Sequence, residues 1–282
     1  MSTVTAATTH PSIDVAARKG LVWLPDWAMI RAERQKLSKR RGLMAAAVIL
    51  SVGSMIVTFG ILIALHASNA VKYGPAGGIS HLSSVSTGLF QVAAVVAILV
   101  GATAGAGDLA VGFFRNLAVT GRSRLSLFLA RIPGGLMVLL PIMAVAFAVV
   151  AVGSVAFAGS LAAPSTALLI TDGLWILLVA AVMFLLALGA ASVIGSRSTS
   201  ISVLLAFQLV LTPILAGLTG LTWLRQLWIG TALQRLRPVA LVQAGGNRGL
   251  LAIAGGAAIA VVIVWSLVSV VAGARRTVTQ DA

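Results

Sequence analysis

Cysteine is absent, and acids number only six and histidines three in a chain of 282 residues. These shortages exclude more than any motif identifies. Without cysteine there is neither a disulfide nor a thiolate nucleophile, although that absence fixes no redox compartment. The acids stand apart at Asp14, Asp26, Glu33, Asp108, Asp172 and Asp281, so no cluster presents itself for the metal that lipid-linked transferases use. His10 belongs to the polar amino-terminal region, and His66 and His81 fall in or near the first expected outer loop. No zinc site and no serine–histidine pair can therefore be drawn at membrane depth. A phosphate-cradling GxxxxGK[ST] loop is missing too, so ATP hydrolysis by that route is not expected of this chain. The expectation is a chain that is not an enzyme and binds no cofactor or metal of its own.

What is present is apolar: 59% of the residues are hydrophobic, 9% are charged, and the mean hydropathy is +1.07. That is the composition of an integral membrane protein. A net charge of +14 would point to nucleic acid in a soluble chain. Here the cations flank apolar runs, so membrane lipids are the expected partner and nucleic acid is not. An apolar run of about 20 residues crosses the hydrocarbon as a helix, and residues 43–65, 88–107, 132–157, 173–194, 201–221 and 250–272 form six. An all-α bundle of six spans follows, with both termini on one side. Putting the termini inside leaves fifteen lysines and arginines inside and five outside, the bias that sets orientation. The abundance of alanine, valine and glycine points to a GC-rich bacterial genome and so to a bacterial inner membrane.

Outside the spans the chain divides simply. Residues 1–17 are expected to be a disordered amino-terminal tail, and residues 273–282 a cytoplasmic tail. Residues 18–42 are basic and amphipathic, with Trp23, Trp27 and Ile30 at helical spacing and a run of cations before the first span. An interfacial elbow helix is expected there. Between spans five and six, apolar Trp223, Leu227, Ile229 and Leu233 alternate with arginines and glutamines, which predicts an amphipathic helix on or dipping into the outer interface. After span two, residues 107–131 hold Asp108 with Arg115, Arg122, Arg124 and Arg131 and break chemically near Thr120 and Gly121. Two short amphipathic pieces on the inner side are predicted. Membrane-embedded polar groups are few, chiefly Gln91, Gln208 and hydroxyls such as Thr212, so uphill transport would take its energy from another polypeptide.

This arrangement resembles the permease subunits of type-2 ATP-binding-cassette exporters, the ABC-2 family. The likeness covers the whole plan of elbow, six spans, polar segment after span two and amphipathic outer loop. Its most specific part runs through Asp108, Gly112 with Phe113, Leu117, Thr120 with Gly121, Ser123 with Arg124, and Ala130 with Arg131. Phe113 stands where the family usually has threonine, the usual proline is missing, and Arg131 replaces the commoner lysine. Glu33 and Lys36 resemble the family's E-x-x-K elbow motif, a spacing that stabilises any helix. The resemblance implies a dimer with a second copy or paralogue, and a nucleotide-binding ATPase subunit that carries ATP and magnesium. It implies an inner coupling helix over residues 112–123 and a substrate path where spans two and five meet the second copy. Gln91, Gly101, Gly105, Gln208 and Pro213 are the residues expected along that path. Two other classes remain open, a scaffold or assembly factor that recruits a soluble partner without transport, and a membrane enzyme built from hydroxyls and loop acids.

Overall fold

The computed structural model describes residues 24–106, 123–217, 222–245 and 253–279, and within them every regular element is a helix. An amphipathic α1 (Trp27–Ser38) precedes five long apolar helices: α2 (Arg41–Ser68), α3 (Gly78–Ala106), α4 (Arg124–Ala156), α5 (Thr166–Ile194) and α6 (Arg197–Leu215). Three short helices follow, α7 (Thr222–Leu227), α8 (Ile229–Arg235) and α9 (Val239–Ala244), and then α10 (Gly255–Thr279). Six of these helices are long and apolar enough to cross a bilayer. The protein is an all-α, multi-pass membrane protein.

The helices outrun the apolar stretches because polar residues cap them. Ser165 accepts the Leu168 backbone N–H and starts α5 at Thr166, upstream of the apolar run that begins at residue 173. Asp172 thereby lies inside a spanning helix instead of outside it. Ser123 likewise accepts the Ser126 N–H, and α4 then continues unbroken from Arg124 to Ala156. The second inner piece predicted from sequence is therefore the opening of a span. Pro133 and Pro141 both lie within that helix, where packing against neighbouring helices compensates for the missing N–H groups.

Small residues decide the packing. A Cβ on Gly101 would stand 2.7 Å from the Phe184 carbonyl, and one on Gly105 would stand 2.5 Å from that of Leu188, so α3 lies almost backbone to backbone on α5. Gly189 does the same for α10, where a Cβ would overlap the Ser269 carbonyl. Gly273 of α10 would bring its own Cβ to 3.0 Å from Gly189 Cα. α3 and α5 are the most enclosed helices, whereas α2, α6 and α10 keep broad apolar faces outward. At one end of the bundle α1 crosses the start of α4 at Gly134, whose added Cβ would lie 2.7 Å from Glu33 Cβ. Leu37 is buried in that crossing, while Trp27 remains exposed. The opposite end carries α7, α8 and α9.

Candidate functional site

Asp172 is the surprise of the described structure. It is fully buried, about two turns into α5, and the Ser86 hydroxyl of α3 donates to its Oδ2 at 2.5 Å. Its Oδ1 has no hydrogen-bond partner among the described residues. The nearby opposite charge is Arg237, just before α9. That guanidinium donates through Nη2 to the Ser83 carbonyl at 2.6 Å and through Nη1 to the Thr87 hydroxyl at 2.9 Å, and it lies 5.4 Å from the Trp175 ring. Burial lowers the Arg237 pKa from its ordinary value, and the Coulombic attraction of Asp172 opposes that shift.

Around this pair the loop helices are fastened to the spans by side chain to backbone bonds. Trp175 donates its indole N–H to the Leu233 carbonyl at 2.7 Å, and Ser83 donates to that of Leu241 at 2.7 Å. Arg235 donates to the Ile253 carbonyl and Trp265 to that of Leu227. Ile229, Leu233 and Leu241 are buried, so α8 and α9 fold into the end of the bundle. The sequence pattern had predicted a helix on or dipping into the interface, and the buried face makes it an integral part of the core. The same segment brings Arg237 close enough for its charge to attract Asp172.

A polar path leads from this knot into α3. Ser80, Ser84, Thr87 and Gln91 recur at helical spacing and are all exposed on one face, reaching about the middle of the helix. Gln91 accepts at 3.1 Å from Nε2 of Gln208, which is buried. Gln208 sits in a π-turn, residues Phe207–Leu211, where the widened helix also brings Phe207 onto the Trp228 ring at 4.5 Å. Pro213 lies exposed beyond the π-turn. Two of the expected pathway residues are therefore bonded to each other, while Gly101 and Gly105 are occupied in packing α3 on α5. Replacing Gln208 by leucine is expected to lower the thermal midpoint in detergent slightly. Interhelical polar pairs in membranes average about 0.6 kcal/mol, and Gln91→Leu added to it should cost little more. A fully additive double variant would show that the two amides act separately.

At the α1 end, Glu33 and Lys36 form an ion pair of 2.6 Å. Arg131 is buried, not on a surface segment, and donates through Nη1 to the Gly105 carbonyl at 3.1 Å, placing a cation against the last described turn of α3. Arg197 donates to the Thr103 hydroxyl at 3.1 Å, and Arg124 reaches the Val278 carbonyl at 3.5 Å. Asp108, Gly112, Phe113, Arg115, Leu117 and Arg122, expected in the coupling segment, lie outside the described residues. The clearest omission in the sequence reading is the Asp172–Arg237 pair, for which the available signal was an acid next to a span and an arginine-rich loop. Neither the models of known families nor the sequences of curated proteins match the chain.

Proposed function

We propose that this chain is the permease subunit of an ATP-driven exporter. In this reading it lies in a bacterial inner membrane with both termini cytoplasmic, pairs with a second copy or paralogue, and couples to a separate nucleotide-binding ATPase. The observation that carries the reading is the polar stripe Ser80–Ser84–Thr87–Gln91, exposed on the flank of a spanning helix. Hydroxyls and an amide facing hydrocarbon are disfavoured, so such a face meets either water or a second subunit. A path shared between two copies, each contributing its α3 stripe, supplies both.

The two ends suit opposite tasks. α1 and Arg131 tie the start of α4 to neighbouring helices on both sides of the basic segment 107–122, so force applied there by a cytoplasmic partner would reach α3 and α4 together. In this reading the Asp172–Arg237 knot, at the far end of the stripe, serves as the exit gate.

Because the native chain has no cysteine, single-cysteine variants give an unambiguous test. Ser84→Cys and Gln91→Cys are expected to react with a water-soluble maleimide in intact membranes, and Val210→Cys, on an outward apolar face, is not. Mild detergent extraction from the native host should also recover a stoichiometric ATPase, and the reconstituted complex should accelerate labelling at Gln91→Cys when ATP is supplied. Unreactive stripe cysteines together with no associated ATPase would overturn the export reading.

A further inference from the structure

We propose that the cleft between α2 and α4 is a binding site for a phosphate-bearing bilayer lipid, its acyl chain between the two helices and its head beside His66 and Ser160. The inference needs the chain only to be a membrane protein and is independent of any coupled ATPase.

The cleft has the polarity of such a molecule. Along the spans it is an open groove of about 550 Å³, lined by Ile56, Phe59, Val149, Val152 and their neighbours, with almost no polar atoms. Ligand clefts commonly measure about 300–1,000 Å³. A second hollow of about 390 Å³ shares Ile63 and Phe157 with the first and adds His66, Gly159 and Ser160. The two hollows adjoin, and polar groups enter the lining only at the end of α2. Phe59 of α2 rests on Gly153 of α4, where a Cβ would lie 2.6 Å from the ring, while the next residue, Gly60, has nothing within 4 Å and leaves the groove open.

The surroundings specify the occupant. An apolar cleft beside spanning helices opens to hydrocarbon, so what fills it is lipid-soluble. At the polar end the hollow is lined by His66 and Ser160, whose imidazole and hydroxyl are hydrogen-bonding groups of the kind an oxygen-rich head engages. The charge at this end selects an anion. Lys72 is exposed three residues before Pro75 and Ala76 of the lining, and no acid lines either hollow.

The test uses the purified full chain in vesicles of phosphatidylcholine containing phosphatidylglycerol with a photoreactive acyl chain, followed by mapping of the labelled peptides. Label is expected to concentrate on α2 and the second half of α4. Gly60→Trp, which places a bulky side chain in the open space, should reduce it at least five-fold with an unchanged elution profile. His66→Ala should abolish the preference for phosphatidylglycerol over photoreactive phosphatidylcholine, and His66→Gln, which keeps a hydrogen-bonding end, should retain part of it. Label spread evenly over the outward faces of α2, α6 and α10 would overturn the proposal. So would a cleft that stays unlabelled because a second copy covers it. Should Gly60→Trp fail to fold, loss of labelling on competition with unlabelled phosphatidylglycerol, and not with phosphatidylcholine, decides the same question.

Discussion

Gly189→Ala is expected to destabilise the fold by about 1–3 kcal/mol or more, the usual range for overpacking, even though alanine is the better helix former by about 1 kcal/mol. The reason is that the obstacle is backbone. The added Cβ would overlap the Ser269 carbonyl of α10, and a main-chain oxygen inside a helix cannot rotate away as a side chain can. α10 would have to lift off α5, and Gly273, which meets Gly189 Cα, would lose its partner in the same movement. Thermal unfolding in a mild detergent measures the effect, with Gly256→Ala as the matched control. Gly256 is also in α10 but has nothing within 4 Å, so the same substitution there should be neutral or stabilising. Equal midpoints for the two variants would mean that the close approach of α5 and α10 is not a feature of the folded protein. The expected ranking also predicts where α10 detaches first, at its middle rather than its ends.

The same contact marks the limit of what composition reveals. Six spans are readable because each needs its own length of hydrocarbon, a local property of the sequence. Which small residues touch which is not local. The run from Gly101 to Gly105 reads as a face for another subunit, yet it packs on α5 inside the chain, and Gly189 and Gly273, which attract no notice in the sequence, form the contact between α5 and α10. The bond between Gln91 and Gln208 closes over 117 residues and has no sequence signature at all. Arg131 reads as one of four basic residues in a surface segment, but the helix that Ser123 caps carries it inward to Gly105. Asp172 was misplaced for a different reason. A charge marks the boundary of a span when it is unpaired, and here the Ser86 hydroxyl and the charge of Arg237 both act on it.

That exception leads to the second large effect. Arg237→Met is expected to destabilise by about 2–3 kcal/mol, somewhat below the range of about 3–5 kcal/mol for breaking a fully buried pair, because the guanidinium is only half-buried. Three losses combine: the bonds to Ser83 and Thr87, the stacking over Trp175, and the countercharge of a carboxylate with no access to water. Only the last can be repaired elsewhere. Asp172→Asn removes the buried charge while keeping an oxygen for the Ser86 hydroxyl, so the double variant should recover a large part of the loss and sit closer to the parent than Arg237→Met alone. Hydrogen exchange over residues 222–245 supplies the structural readout: faster exchange in Arg237→Met, partly restored in the double variant, would place the damage where α8 and α9 meet α3 and α5. If Asp172→Asn gives no rescue, the arginine acts only through its bonds to α3 and the carboxylate is not its partner. If rescue occurs, the far end of the bundle is held by electrostatics that a passing substrate or ion of either charge would weaken, whereas the α3–α5 and α5–α10 contacts are steric and would not respond. In the export reading proposed above, the end that Asp172 and Arg237 hold is therefore the one expected to open.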